Sequence, residues 1–228
     1  MIKNKYIKLS TIAVYLIAAI ILYIMFLVMD AKTATNTIYI KYSVVIISTA
    51  FTLISLLFIN GKQNIIQVTI RFLALILTLV ADYFLLVASS NFVVGVSVFL
   101  VAQLCHALSL QFINGFHKIE FFIIVSLRIA ISTILAFIFA KQGPLFILAA
   151  IYFTQLVMNF VESLIIFIET KSTTSLLLTI GFLLFVGCDV FVGLFNLLGE
   201  EYLYPIWLFY APSQVLIGLS SYFINSFK

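Results

Sequence analysis

The chain has 228 residues, 64% of them hydrophobic and 9% charged, with a mean hydropathy of +1.28. A soluble domain is about half apolar and about a quarter charged, so this composition excludes a water-soluble fold, a disordered chain, collagen, a coiled coil and a disulfide-stapled secreted module. Twelve Lys and Arg against eight Asp and Glu leave a net charge of +4; without a basic stripe or aromatic–basic module, that excess orients a chain in a lipid bilayer and does not mark nucleic-acid binding.

A membrane-spanning helix needs about 20 mostly apolar residues. Apolar runs between polar breaks predict eight such helices, at approximately 9–29, 42–59, 66–88, 92–113, 119–140, 144–168, 176–198 and 203–225. Lys3, Lys5 and Lys8 ahead of the first run imitate a signal peptide. The run is too long for one, and Asp30 follows it with no small-residue cleavage site, so the first helix is expected to stay. Runs such as LIAAIILYIMFLVM are apolar on every face, whereas barrel strands alternate. The expected fold class is therefore all-α, a polytopic integral membrane protein with a single membrane domain over 1–228. The breaks are short and carry Gly, Asn, Ser and Pro, with no room for a folded extramembrane domain.

Charge at the helix ends predicts orientation. Lys3, Lys5, Lys8, Lys62, Arg71, Lys118, Lys171 and Lys228 fall on one side, and Lys32, Lys41 and Lys141 on the other with Glu200 and Glu201. Both termini are accordingly expected in the cytoplasm, with the chain in the cell membrane. An internal similarity also stands out. AQLCHALSLQFIN (102–114) aligns with SQVLIGLSSYFIN (213–225) at six identical positions of thirteen, pairing Gln103 with Gln214. ADYF (81–84) aligns with CDVF (188–191), pairing Asp82 with Asp189. This reads either as two parallel four-helix repeats or as chance similarity between apolar segments.

Ionisable side chains inside a spanning helix cost about 2.5–3.5 kcal/mol each on insertion scales, so they are candidate functional residues. At 1.5 Å per residue, Asp82, Asp189 and Tyr210 lie roughly 20–24 Å from the cytoplasmic helix ends. Gln103 and Gln214 lie at about 15–17 Å, His106 and Arg128 at about 10–14 Å, and Glu162 near 9 Å. Such groups must face one another or a wet cavity. Two acids at one depth suggest acid–base chemistry, because carboxyls sharing a dry site tend to hold one proton between them, leaving an acid and a base. Arg128 is expected in an ion pair with Glu162 or an Asp, and Arg71, near a helix end, is expected to snorkel to the surface. Glu162 could snorkel as well. Gln103, Gln214 and His106 could serve as interhelical hydrogen-bonders, and Tyr210 as an interfacial residue. Cys105 and Cys188 read as small interior hydrophobes. With His117 in a loop, a His-rich intramembrane zinc site cannot be assembled; no metal or cofactor is expected.

The segments LTLVADYFLLV, GVSVFLVAQLCHALSLQFI, GFLLFVGCDVFVGLF and WLFYAPSQVLIGLS together resemble the YhhN-like family, eight-helix membrane proteins that include the lysoplasmalogenases. The family pattern has Gly-Asp and a Leu pair in helix 3, Phe-x-x-x-His-x-x-Tyr in helix 4, Ser-Asp in helix 7 and Tyr-x-x-x-Gln in helix 8. Asp82 and Asp189 match the two acids, and Tyr210 and Gln214 the helix-8 pair. Lys41 resembles a Lys that precedes Pro in the family, with Tyr42 in place of the Pro. Ala81 replaces Gly, Cys188 replaces Ser, Gln103 stands where the family has His, and His106 where it has Tyr. The resemblance implies hydrolysis of the vinyl ether of a lysophospholipid, the lysoplasmalogen, to a fatty aldehyde and a glycerophospho-amine. It implies Asp82 and Asp189 as the catalytic carboxyls. Gln103, His106, Tyr210, Gln214 and Arg128 would position water or head group, and an apolar cavity between helices would take the alkenyl chain. The residues by themselves also fit a transporter or lipid-binding protein that uses the acids as a proton or cation site.

Overall fold

The computed structural model describes residues 2–31, 37–88, 91–113, 115–199 and 203–224. Lys32, Glu200, Glu201 and Lys228 of the charge pattern lie outside the described residues. Eight α-helices follow one another: α1 (Ile2–Ala31), α2 (Ile38–Ser55), α3 (Lys62–Asp82), α4 (Phe92–Leu110), α5 (Lys118–Phe139), α6 (Pro144–Thr170), α7 (Thr173–Leu198) and α8 (Leu203–Ser220). The described residues contain no strand. Gly61 and Gly143, at φ 92° and 106°, give the chain the left-handed backbone with which it enters α3 and α6, and Pro144 opens α6 where no intrahelical N–H is required. The Ser172 side chain caps α7 by accepting from the Ser175 N–H.

Seven of these helices are long and apolar enough to cross a membrane, and the chain is a polytopic membrane protein. In the eighth, α8, ten of eighteen residues are buried, Ser213, Gln214 and Ser220 among them, so these polar groups meet protein and not lipid. At Gly181 an added Cβ would stand 2.9 Å from Ile217 Cγ1 and 3.3 Å from the Ser213 carbonyl, which is how α7 and α8 approach so closely.

Six helices close into a ring in the order α2, α3, α4, α6, α7, α8 and back to α2. α1 lies outside against α2 and α8, and α5 lies outside against α6. Advancing every helix number by four maps the α1–α2, α2–α3, α3–α4 and α8–α2 contacts onto α5–α6, α6–α7, α7–α8 and α4–α6. The packing thus has the form expected of two four-helix repeats. The outer clefts differ between halves. Beside α1, Tyr15, Phe51 and Tyr222 stack at centroid distances of 3.7 and 3.9 Å and fill the space. Beside α5, a cavity of about 790 Å³ runs between α4, α5 and α6, and Gln111 stands at the position aligned with Tyr222.

Polar side chains tie the helices together. Arg128 of α5 pairs with Glu162 of α6 at 2.6 Å and also donates to the side chains of Gln155 and Asn159. Asn159 in turn donates to Gln103 of α4 at 2.9 Å, Gln155 to Ser132, and Gln111 to Glu162. Gln155, Asn159 and Glu162 recur at helical spacing and form one polar face of α6. The expected Arg128–Glu162 ion pair is present, and Glu162 does not snorkel. Arg71 contradicts its expectation. It is fully buried, because α3 begins at Lys62, so Arg71 lies about 14 Å into the helix and cannot reach the surface. The same early start moves Asp82 to about 30 Å from the beginning of α3, deeper than expected.

The Arg128–Glu162 ion pair and the amides and hydroxyl beside it tie α5 to α6, and α5 buries Arg128 and Ser132. Replacing Glu162 with Leu leaves the guanidinium unpaired and is expected to destabilise the protein by about 3–5 kcal/mol, while adding Arg128→Met restores most of the loss. Thermal unfolding of the single and double variants in detergent checks this; equal losses in both would contradict it.

Candidate functional site

The ring interior holds the two acids that the sequence singles out. Asp82 ends α3, and the chain continues in a π-helical turn over Tyr83–Val87, a local widening common at functional sites. Tyr210 of α8 donates to Asp82 Oδ2 at 2.5 Å. These two helices are not neighbours in the ring, so the bond crosses its interior. Asp189 of α7 accepts a hydrogen bond from Tyr152 of α6. The charge of Asp189 reaches Asp82, and the buried thiol of Cys188 lies within the field of both. Each acid has its own tyrosine hydroxyl. Asp82 is 3% exposed, whereas Asp189 is only partly buried, with its Oδ2 enclosed and without a partner.

Aromatic rings form the walls. Phe185 packs edge-on against Tyr210 at 5.4 Å and against Phe99 at 6.1 Å, and Phe99 meets Tyr152 at 5.7 Å. Low surrounding polarity strengthens every charge interaction inside such a site. The rim toward the α7–α8 connection is charged. Lys41 at the start of α2 pairs with Asp30 at the end of α1 at 2.6 Å, and its ammonium lies 4.9 Å from the Trp207 ring, which packs on Tyr210. Tyr42 donates to the Leu79 carbonyl and lies in the field of Asp82.

The remaining expected positioning residues are elsewhere. Gln103 joins the Asn159–Arg128 network between α4, α5 and α6. His106 faces Phe182 and the charge of Arg71. Gln214, one turn beyond Tyr210, donates to the hydroxyl of Ser213 and keeps its carbonyl oxygen unpartnered. Of the residues expected around the acids, only Tyr210 reaches one directly. The residues that sequence reasoning missed are Tyr152 and the Asp30–Trp207 rim. Tyr152 is one of eleven tyrosines, and only its place on the same helix as Gln155 and Asn159 hinted at an inward face. Nor does the apolar cavity open between the acids. It lies outside the ring, lined by Leu100, Leu104, Val125, Arg128 and Ile151 among others, and neither Phe99 nor Tyr152 is among its lining residues. Among the described residues no three His, Cys, Asp or Glu side chains cluster as a metal-ligand set.

Comparison with curated proteins and with solved structures finds no match. A model of the YhhN family matches residues 44–221, a span that holds α3 to α8 whole and both acids with their tyrosines. The chain with the paired acids of α3 and α7 belongs to the YhhN family.

Proposed function

We propose that the protein is a membrane-embedded lipid hydrolase of the lysoplasmalogenase type, cleaving the vinyl ether of a lysoplasmalogen. The observation that carries this reading is the pair of carboxyls from α3 and α7, each hydrogen-bonded to a tyrosine and close enough to interact. Their environments differ, which suits two roles. Asp82 accepts the Tyr210 bond and is the more enclosed of the two. Asp189 keeps one oxygen without a partner and is the more accessible of the two.

In the proposed mechanism, Asp189 gives its proton to the outer alkenyl carbon, and the double-bond electrons form the new C–H bond. The resulting oxocarbenium ion is stabilised by the Asp82 carboxylate. Water adds to the cationic carbon and gives up a proton, which the carboxyl pair takes back. The hemiacetal then collapses to a fatty aldehyde and the glycerophospho-amine, with the released alcohol oxygen taking the hydroxyl proton. The rings of Phe99 and Phe185 keep the site poor in water. The Lys41–Asp30 pair at the rim is placed to meet a zwitterionic head group. The alkenyl chain would lie in the cavity between α4, α5 and α6, reaching the acids past Phe99 and Tyr152. With both termini cytoplasmic, as the basic residues suggest, the rim faces the far side of the membrane.

One observation favours a second reading, a transporter using the acids as a proton or cation site: the ring has a polar layer at Arg71 as well as at the acids. The two readings separate cleanly. Purified protein given lysoplasmalogen is expected to release aldehyde, and Asp82→Asn and Asp189→Asn, with unfolding temperatures preserved, are each expected to lower that release by about 10²–10⁴-fold. Proton-coupled uptake in proteoliposomes with no aldehyde from any ether or vinyl ether lysolipid would contradict the hydrolase and support transport.

Tyr210→Phe removes only the donor to Asp82. It is expected to reduce kcat with little change in KM, because the lost bond acts on the reacting carboxylate and not on the lipid chain. An unchanged kcat in steady-state aldehyde assays would remove Tyr210 from the mechanism.

A further inference from the structure

Arg71 is wholly buried, and it takes no part in the Lys41–Asp30, His117–Glu120 and Arg128–Glu162 pairs of the described residues. Arg71 has only neutral partners: Nη1 donates to the Ser220 hydroxyl at 2.8 Å and lies 3.3 Å from that of Ser221. The Ser220 proton is already given to the Ile217 carbonyl at 2.6 Å, so the hydroxyl accepts from the guanidinium without neutralising it. The other edge of the guanidinium, Nε and Nη2, has no partner. Gln67, one turn earlier on the same face of α3, is 2% exposed and its Nε2 is unpartnered. His106 of α4 is 1% exposed, lies in the field of Arg71, and leaves its Nε2 unpartnered.

A lone buried charge is strongly destabilising, and buried donors without acceptors add to the penalty. Here several such groups stand together between α3, α4 and α8. The free Nε–Nη2 edge of an arginine is a planar fork that matches two oxygens of a carboxylate or phosphate. We propose that Arg71, with Gln67 and His106, binds an oxyanion, a carboxylate or a phosphate group, inside the helical ring. Gln67 supplies a neutral donor, His106 a ring N–H, and the Ser220 and Ser221 hydroxyls hold the guanidinium in place.

The site uses none of the side chains that carry the proposed hydrolysis. Arg71 lies eleven residues before Asp82 on α3, about 16 Å along the helix. The site therefore stands whether or not the protein is a hydrolase.

The test titrates the purified full-length protein in an uncharged detergent, at ionic strength held constant with sodium chloride. The probes are sodium phosphate, sodium acetate, lysophosphatidate and neutral monoacylglycerol, followed by unfolding temperature and native mass. Saturable stabilisation by phosphate or acetate identifies a free ion, and stabilisation by lysophosphatidate alone identifies a lipid head group. Monoacylglycerol is expected to do nothing. Arg71→Lys keeps the charge but loses the fork and is expected to weaken binding at least about tenfold. Gln67→Leu removes a donor that is idle without ligand, so it is expected to leave stability in chloride unchanged and to weaken oxyanion binding, even if Arg71→Lys fails to fold. No stabilisation by any oxyanion probe, stabilisation matched by monoacylglycerol or chloride, or binding undiminished in the folded variants overturns the proposal.

Discussion

The hydrogen bond from Tyr210 to Asp82 joins α8 to α3 across the inside of a helical ring. It exists because a carboxyl among apolar helices has no water to turn to, so a donor must come from the protein. The second acid obeys the same constraint and finds its donor in Tyr152. Two acids, each held by a tyrosine on another helix, fix how α3, α6, α7 and α8 meet. They also bring Asp82 within the field of Asp189. The structural requirement and the proposed chemistry rest on the same contacts.

The polar interior is layered. The acids, Cys188 and the aromatic walls form one layer, and Arg71, Gln67 and His106 form another, with Leu75, Phe182 and other buried apolar side chains in the core between the helices. Outside the ring, α1 and α5 occupy matching places with different results. The α1 cleft is closed by stacked rings. The α5 cleft is open and apolar, with the Arg128–Glu162 network at its edge. A symmetric framework is thus filled beside α1 by stacked rings and open beside α5.

Much of this was legible in the sequence because membrane helices announce themselves by length and composition. The eight helices and the Arg128–Glu162 pair follow from spacing along helices. What the sequence could not supply is rotation about each helix axis. Gln103 and His106 lie near the right depth, yet one faces the α5–α6 network and the other faces Arg71. Tyr152 was hidden because an uncharged aromatic residue in an apolar run carries no mark of its direction. Arg71 was misplaced by a helix that starts four residues earlier than the apolar run, because Lys62 and its polar neighbours extend α3 beyond its hydrophobic stretch.

The central claim is that the acids of α3 and α7 act on each other as one unit. Infrared spectra of the carboxyl C=O band, recorded for the wild type and for Asp82→Asn and Asp189→Asn, test it without any substrate. The account predicts that the band of the acid left in place shifts in frequency or titration when the other acid is replaced. Bands that remain the same in each variant would mean two separate carboxyls and would contradict it.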